Sequence, residues 1–427
     1  MNEKANHTRR GPWPAGRPDV RAVIRPGLAR GVLEAPPSKS MAHRLLMGAG
    51  LARGESVLRR LDRSEDILAT VDCLSALGAA IRWEEDNVHV TGFNPFGAAS
   101  ASLPCRESGS TLRFMIPLCL LGRRPMRLTG GEALMKRPLS VFEDICRERG
   151  LSFRRVANEV RLEGALTPGE YAVNGGVSSQ FVSGLLFALP LLPGDSLLRL
   201  IPPVESRPYI DMTLRALSRF GVRAGWADEL TLRVPGGASY APVDAAVEGD
   251  YSNAAVFEAL NWLGGDVRVT GLSADSPQGD QVYRDYFPRL AAGAPTLDVS
   301  DCPDLAPVLF ALAAAKHGAA FTGTRRLRFK ESDRGGAMAT ELAKFGIQTD
   351  IHENRVVVHA GRLHAPDIPL SSHGDHRVAM ALSVLCVLTG GEIDGAEAVR
   401  KSLPDFWARL KGLGVDVALT GAMDNAR

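Results

Sequence analysis

Apolar residues along the chain recur in one repeating arrangement: a long apolar run, a glycine, then a short strand-like stretch. It appears as LLMGAGLARGESVLRRL, LRFMIPLCLLGRRPMRLTG, FVSGLLFALPLLPGDSLLRLI, AAVFEALNWLGGDVRVTGL, APVLFALAAAKHGAAFTGT and VAMALSVLCVLTGGEIDGA. The turn glycines are Gly54, Gly122, Gly194, Gly265, Gly318 and Gly391, and each is expected to mark a helix end. A second pattern follows in most units: an amphipathic helix, a glycine and a two-strand hairpin, as in CLSALGAAIRWEEDNVHVTG and ELAKFGIQTDIHENRVVVHAG. The turn glycines are about 70 residues apart, except for a shorter interval between Gly265 and Gly318, where LAAGAPTLDVSDCPD lacks a hairpin. The chain therefore reads as six units of strand–helix–strand–helix–strand–strand. The first helix of each unit is apolar on all sides and is expected to be buried. Three units per domain would give two similar α/β domains, each with three buried helices walled by sheets.

The segments just before the buried helices are PSKS, ESGST, GGVSSQ, EGDYSN, DCPD and HGDHR. Equivalent units put these six helix starts in equivalent positions, facing one cleft. Free N–H groups and the helix dipole make such starts anion sites. Lys39 and Arg44 lie at the first of them, where the dipole disfavours cations, and an anionic ligand would resolve the conflict.

The 427 residues suit two domains, and a net charge of +2 gives no field for nucleic acid or an anionic membrane. The six cysteines are scattered without a CxxC pair and no secretory segment is evident, which suggests reduced core thiols in a cytoplasmic protein. Residues 1–22 are expected to form a flexible arm. Repeat boundaries put one domain at 37–246, with repeats 1–3, and the other at 23–36 plus 247–427, with repeats 4–6. The chain would cross between them near Glu34–Pro37 and Val243–Glu248.

The densest charge cluster is RRLRFKESDR, from Arg325 to Arg334. It reads either as a solvated turn with Ser332 as N-cap, or as a ligand site using Lys330, Glu331 and Arg334. Asp304 in DCPD is open between an N-cap and a catalytic base. Arg377 beside His376 opens the sixth buried helix and favours a ligand. Arg137 precedes a helix, Lys136 reads as a surface charge, and His43 as a packed residue. HExxH, GxxxxGK[ST] and GxSxG are absent from the sequence. What remains is a Lys- and Arg-rich cleft with a few carboxylates, suited to a multiply charged ligand.

Ten motifs, PSKSMAHR, ESGSTLR, MKRP, VSSQF, SRPYID, EGDYS, PDLA, FKESDR, GDHRVAM and KSLPDF, stand in the order and spacing of one family. From about Val23 to near the C-terminus the sequence resembles the 5-enolpyruvylshikimate-3-phosphate synthases. The resemblance implies a two-domain inverse α/β barrel of six βαβαββ-type repeats. It implies transfer of the enolpyruvyl group of phosphoenolpyruvate to the 5-hydroxyl of shikimate 3-phosphate, by a monomer that uses no metal or cofactor. By position, Lys39, Ser40, Arg44, Ser178, Ser179, Gln180, Ser206, Tyr209, Asp304 and Lys330 would contact shikimate 3-phosphate. Lys39, Gly109, Arg137, Gln180, Arg334, Arg377 and Lys401 would form the phosphoenolpyruvate pocket. Asp304 would be the base and Glu331 the acid, with Lys330 and Lys39 assisting. Glu331 would need desolvation to act as an acid beside Lys330 and Arg334.

Two features depart from the family pattern. Arg326 stands where the enterobacterial sequences carry Asn, and the hairpin before Asp304 is missing. The related UDP-N-acetylglucosamine enolpyruvyl transferases carry a reactive Cys where this sequence has Glu132. A non-catalytic binder on the same scaffold would have no need for Asp304, Lys330 and Glu331 together.

Overall fold

The computed structural model describes residues 20–421. Residues 1–19 of the expected arm lie outside the described residues, and residues 20–22 belong to a strand, Val20–Ile24. The second unit shows the repeat in full. Strand Ser102–Pro104 leads into the buried helix Gly109–Cys119, strand Met126–Thr129, helix Ser140–Glu148 and a hairpin of Ser152–Val156 with Glu159–Glu163. The first two strands pair in parallel, and the hairpin adds antiparallel on the far side of the second. The third unit (Glu170–Asn174 onward) and the fifth (Thr296–Asp298 onward) build four-stranded sheets in the same order.

Units one, four and six are completed from elsewhere in the chain. Strand Asp244–Ala246 pairs in parallel with Glu55–Arg59 and completes the first sheet. Strand Arg30–Glu34 pairs in parallel with Asp266–Thr270 of the fourth unit. Val20–Ile24 sits between Gly391–Asp394 and Val417–Gly421 in the sixth. The fourth sheet has only two strands, because helix Tyr283–Ala292 runs straight into the next unit's first strand.

Two separate apolar cores result. One draws on residues from Met41 to Val247, the other on Val20–Leu33 together with Tyr251–Val417. The segments joining them run side by side: Pro37 bridges Gly249, Ser38 N donates to Glu248 O at 2.8 Å, and Asp250 N donates to Pro36 O at 2.8 Å.

The six buried helices are Lys39–Leu51, Gly109–Cys119, Ser179–Ala188, Tyr251–Ala259, Ala306–Ala315 and His376–Thr389. Five begin on a side-chain cap, from Ser38, Ser108, Ser178, Asp250 and Asp375. The fifth does not: its N-cap is Leu305, so Asp304 lies one residue outside the helix and caps nothing. The expectation that each helix ends on glycine is also corrected. The sixth has a glycine cap, Gly390, and the fourth reaches one, Gly264, through a 3₁₀ turn. The third tightens into a 3₁₀ turn that ends on Leu192, and the first, second and fifth are capped by Ala52, Leu120 and Lys316. Among the described residues no helix is long and apolar enough to cross a membrane. All six cysteines are buried and unpaired by disulfides.

Candidate active site

The helix starts converge where the two domains meet, and most of the singled-out residues lie there. Arg44 faces sideways from the first buried helix and is 3% exposed. It donates to Thr213 Oγ1 (2.9 Å), Ser40 O (2.6 Å) and Tyr209 O (2.8 Å), all neutral acceptors. Burial pushes its pKa down to about 10. Arg113, on the second buried helix, donates to Gln180 Oε1 (2.7 Å) and Pro138 O (3.1 Å), and its Nε has no partner. Burial lowers this guanidinium to about 9, and neighbouring Arg137 adds to the effect. Among the described ion pairs neither Arg44 nor Arg113 has a carboxylate.

Gly109 starts the same helix as Arg113. A Cβ there would lie 2.6 Å from Arg137 Nη1 and 3.1 Å from Arg113 Nη1. The missing side chain is therefore what lets two guanidiniums crowd one helix start. Lys39 pairs with Asp66 at 2.8 Å. Burial opposes its charge, but Asp66 and Glu331 outweigh burial and its pKa rises. Ser178 caps the third helix and Gln180 Nε2 donates to Ser110 Oγ at 2.9 Å. The neighbouring Ser179 is buried.

The second domain supplies a different kind of cation. Arg334 is 1% exposed and reaches three carboxylates: Asp304 at 2.7 Å, Glu331 at 2.9 Å and Asp375 at 2.9 Å. It opens helix Arg334–Lys344, whose N-cap is Asp333 and not the expected Ser332. The Ser332 hydroxyl instead donates to Asp375 Oδ2 at 3.2 Å. Lys330 donates to Asp304 Oδ1 at 3.2 Å, and burial brings the Lys330 ammonium down to about 8. Arg377 bonds Asn253 Oδ1 at 2.8 Å, while its Nε is unbonded. Lys401 stands 4.0 Å from Glu331.

Both carboxylates expected to carry chemistry are held ionised. Burial alone would raise Asp304, but Lys330, Arg334 and Arg377 drive it well below the usual carboxylate range. The same holds for Glu331 through Arg137, Arg334 and Lys401. These side-chain cations, rather than helix N–H groups, set the charge of Asp304. Desolvation of Glu331 is present and does not by itself make it an acid.

Several contacts cross between the domains. Arg137 Nε donates to Phe329 O at 3.2 Å, Ser206 N to Ser300 O at 3.2 Å, and the Tyr209 hydroxyl to Asp280 Oδ2 at 2.9 Å. Ser206 takes left-handed backbone angles at φ 58°, a strained state for serine that these contacts hold. Arg326 lies 3.5 Å from Glu205 across the same boundary, both buried.

His43 and His376 are buried, and burial with nearby cations keeps both neutral. Lys136 is exposed and pairs with Glu132, away from the cleft. Arg113, Asp66, Asp280, Glu205 and Asp375 joined the cleft without having been singled out. Arg113 and Asp375 stand inside quoted motifs, ESGSTLR and GDHRVAM, and Asp280 follows SPQG in a stretch with no periodic signal. Among the described residues no cluster of His, Cys, Asp and Glu is arranged to hold a metal ion.

Comparison with known proteins follows the same lines. The chain is 36% identical over 416 residues to the 3-phosphoshikimate 1-carboxyvinyltransferase of Clostridium kluyveri, covering 92% of this chain and 97% of that one. The enzyme of the same name from Clostridium perfringens strain 13 is 36% identical over 417 residues, covering 92% and 98%. The fold matches an EPSP synthase structure from Acinetobacter baumannii with a TM-score of 0.77 at 23% identity, over 94% of this chain and 100% of that one. The enolpyruvyl transferase NikO from Streptomyces tendae matches at 0.72 and 15% identity, covering 94% and 99%. The family model for EPSP synthase (3-phosphoshikimate 1-carboxyvinyltransferase) matches residues 25–294 and 289–410, and with the two cores, the six helix starts and the cationic cleft between them this chain belongs to that family.

Proposed function

We infer that this chain transfers the enolpyruvyl group of phosphoenolpyruvate to the 5-hydroxyl of shikimate 3-phosphate and releases phosphate. The observation that carries the reading is the pair of buried guanidiniums, Arg44 and Arg113, without carboxylate partners. Such charges are expensive to bury alone, and anionic substrates would compensate them.

In this reading shikimate 3-phosphate takes its contacts from Lys39, Ser40, Arg44, Ser178, Ser179, Gln180, Ser206 and Tyr209. Phosphoenolpyruvate takes its contacts from Arg137, Arg377, Lys401, Lys39, Gln180 and the space left open at Gly109. Arg334 reaches it only by releasing one of its three carboxylates. Asp304 Oδ2 accepts the proton of the 5-hydroxyl as that oxygen attacks C2 of phosphoenolpyruvate, while the methylene carbon takes a proton. Loss of phosphate and of a methyl proton then restores the double bond.

Glu331 becomes an acid through the substrate. Phosphoenolpyruvate competes for Arg137, Arg334 and Lys401 and brings its own negative charge beside Glu331. Both effects raise the carboxyl pKa. Lys330, at about 8, retains a proton that it can share with Asp304. We place the enzyme in the cytoplasm as a monomer acting on small molecules without a cofactor.

Phosphate release from phosphoenolpyruvate should require shikimate 3-phosphate and should not respond to UDP-N-acetylglucosamine. The rival reaction is disfavoured at Glu132, which is exposed and paired to Lys136. Release with the nucleotide sugar alone would reverse the assignment.

A further inference from the structure

Beyond Tyr209 lies a carboxyl that the reaction as described leaves without a part. Asp280 sits in the turn Gly279–Val282 and is 3% exposed. Its Oδ2 accepts the Tyr209 hydroxyl at 2.9 Å, and its Oδ1 has no hydrogen-bond partner. The same hydroxyl stands 3.4 Å from Asp304 Oδ2. That is the Asp304 oxygen which Lys330 and Arg334 leave free, since both bond Oδ1. One phenol proton thus lies between two carboxyl groups and can go to only one of them. Burial and the two acids raise the Tyr209 pKa well above its ordinary value, so the phenol keeps its proton.

We propose that Asp280 is a positioning residue for the transfer reaction: it holds the Tyr209 hydroxyl turned away from Asp304, leaving Asp304 Oδ2 free for the substrate's proton. The proposal rests on Asp304 being the base. With Asp280 ionised, the phenol donates to it and presents only a lone pair toward Asp304. With Asp280 protonated, Asp280 can donate to the phenol oxygen. The phenol proton then swings to Asp304 Oδ2 and occupies the lone pair that the 5-hydroxyl needs.

The groups facing Asp280 allow this exchange near neutral pH. Burial and Asp304 raise its pKa to about 7, Asp250 at the fourth helix start adds slightly, and Arg377 and the Tyr209 bond oppose them. Cys302 is also within electrostatic reach, and its thiol is pushed well above its ordinary range, so it stays neutral. Asp304 itself is held far below this range. Loss of activity as pH falls through 7 would therefore come from a proton on Asp280, not on Asp304.

The test is a double-mutant cycle of Asp280→Asn and Tyr209→Phe, read as kcat with shikimate 3-phosphate and phosphoenolpyruvate, with pH profiles. The amide of Asp280→Asn can donate to the phenol oxygen and mimics the protonated state. It should lower kcat about tenfold with KM for phosphoenolpyruvate within about twofold. In the Tyr209→Phe background the same change should alter kcat less than about twofold, because no hydroxyl remains to swing. Equal losses in both backgrounds, or no loss in either, would overturn the proposal. Should Asp280→Asn fail to fold, the acidic limb decides: present near pH 7 in the wild type and absent in Tyr209→Phe supports it, unchanged in Tyr209→Phe overturns it. A wild-type enzyme inactive with these two substrates would instead overturn the reaction, and the proposal with it.

Discussion

Arg44 and Arg334 are both arginines, both buried at a helix in the cleft, and their surroundings are opposite. Arg44 donates to two hydroxyls and two carbonyls, whereas Arg334 meets three carboxylates. Burial drags the first down to about 10, and for the second the acids outweigh burial and raise it well above its ordinary value. Arg44, like Arg113, therefore carries charge that the protein leaves uncompensated. Arg334 carries charge consumed by the architecture, holding Asp304, Glu331 and Asp375 together. A site for two anions needs both: free cations to bind, and bound cations to keep Asp304 ionised and the reacting carboxylates in place.

The comparison is testable at several positions. The largest effect is expected at Asp304→Ala, which should lower kcat by roughly 10²–10⁴, the size of a general-base contribution, with substrate affinity within a few-fold. Steady-state rates and thermal melting on one preparation check this, and a folded, fully active variant would remove Asp304 from the chemistry. Arg334→Met should be the most damaging to stability, since it takes a cation from buried Asp375 and from half-buried Asp304 and Glu331 at once. A loss of about 3–5 kcal/mol in denaturant unfolding is expected. Loss of less than about 1 kcal/mol would mean that the three ion pairs hold little.

Arg44→Met should separate the two classes most clearly. Removing an uncompensated buried cation relieves desolvation, so stability should hold within about 1 kcal/mol or increase. Affinity for shikimate 3-phosphate should nevertheless fall at least about tenfold, the worth of one charge-assisted contact. Calorimetric titration and melting, run in parallel, read both. Destabilisation as large as that of Arg334→Met would erase the distinction between the two arginines. The smallest effect is expected at Gly109→Ala. Its Cβ would press on the flexible end of Arg137, raising KM for phosphoenolpyruvate several-fold at little cost in stability, about 1 kcal/mol or less. Unchanged KM would show that the two guanidiniums have room to part.

The missing hairpin shows how far a local pattern carries. The interval between Gly265 and Gly318 is too short for a full unit, and the fourth sheet has two strands. The first strand of that sheet, Arg30–Glu34, comes from far up the chain, and no local signal names its partner. The candidate N-cap at Asp304 failed for a related reason. DCPD has the composition of a cap, but the chain makes a further turn before the helix, and Asp304 is drawn to Lys330 and Arg334 instead.

Sequence alone determined the six units, the apolar character of their first helices and the places where those helices start. These follow from periodicity and glycine turns, which act within a few residues. The quoted motifs also carried the family resemblance, and with it Lys39, Arg137, Lys330 and Glu331. Only the tertiary structure decided which cations have counterions, that Asp304 stands outside its helix, and that Arg113, Glu205 and Asp280 enter the cleft. Burial and Coulomb interaction are sums over neighbours in space. For Tyr209 and Asp280, or Arg326 and Glu205, those neighbours come from different domains and are far apart in the chain.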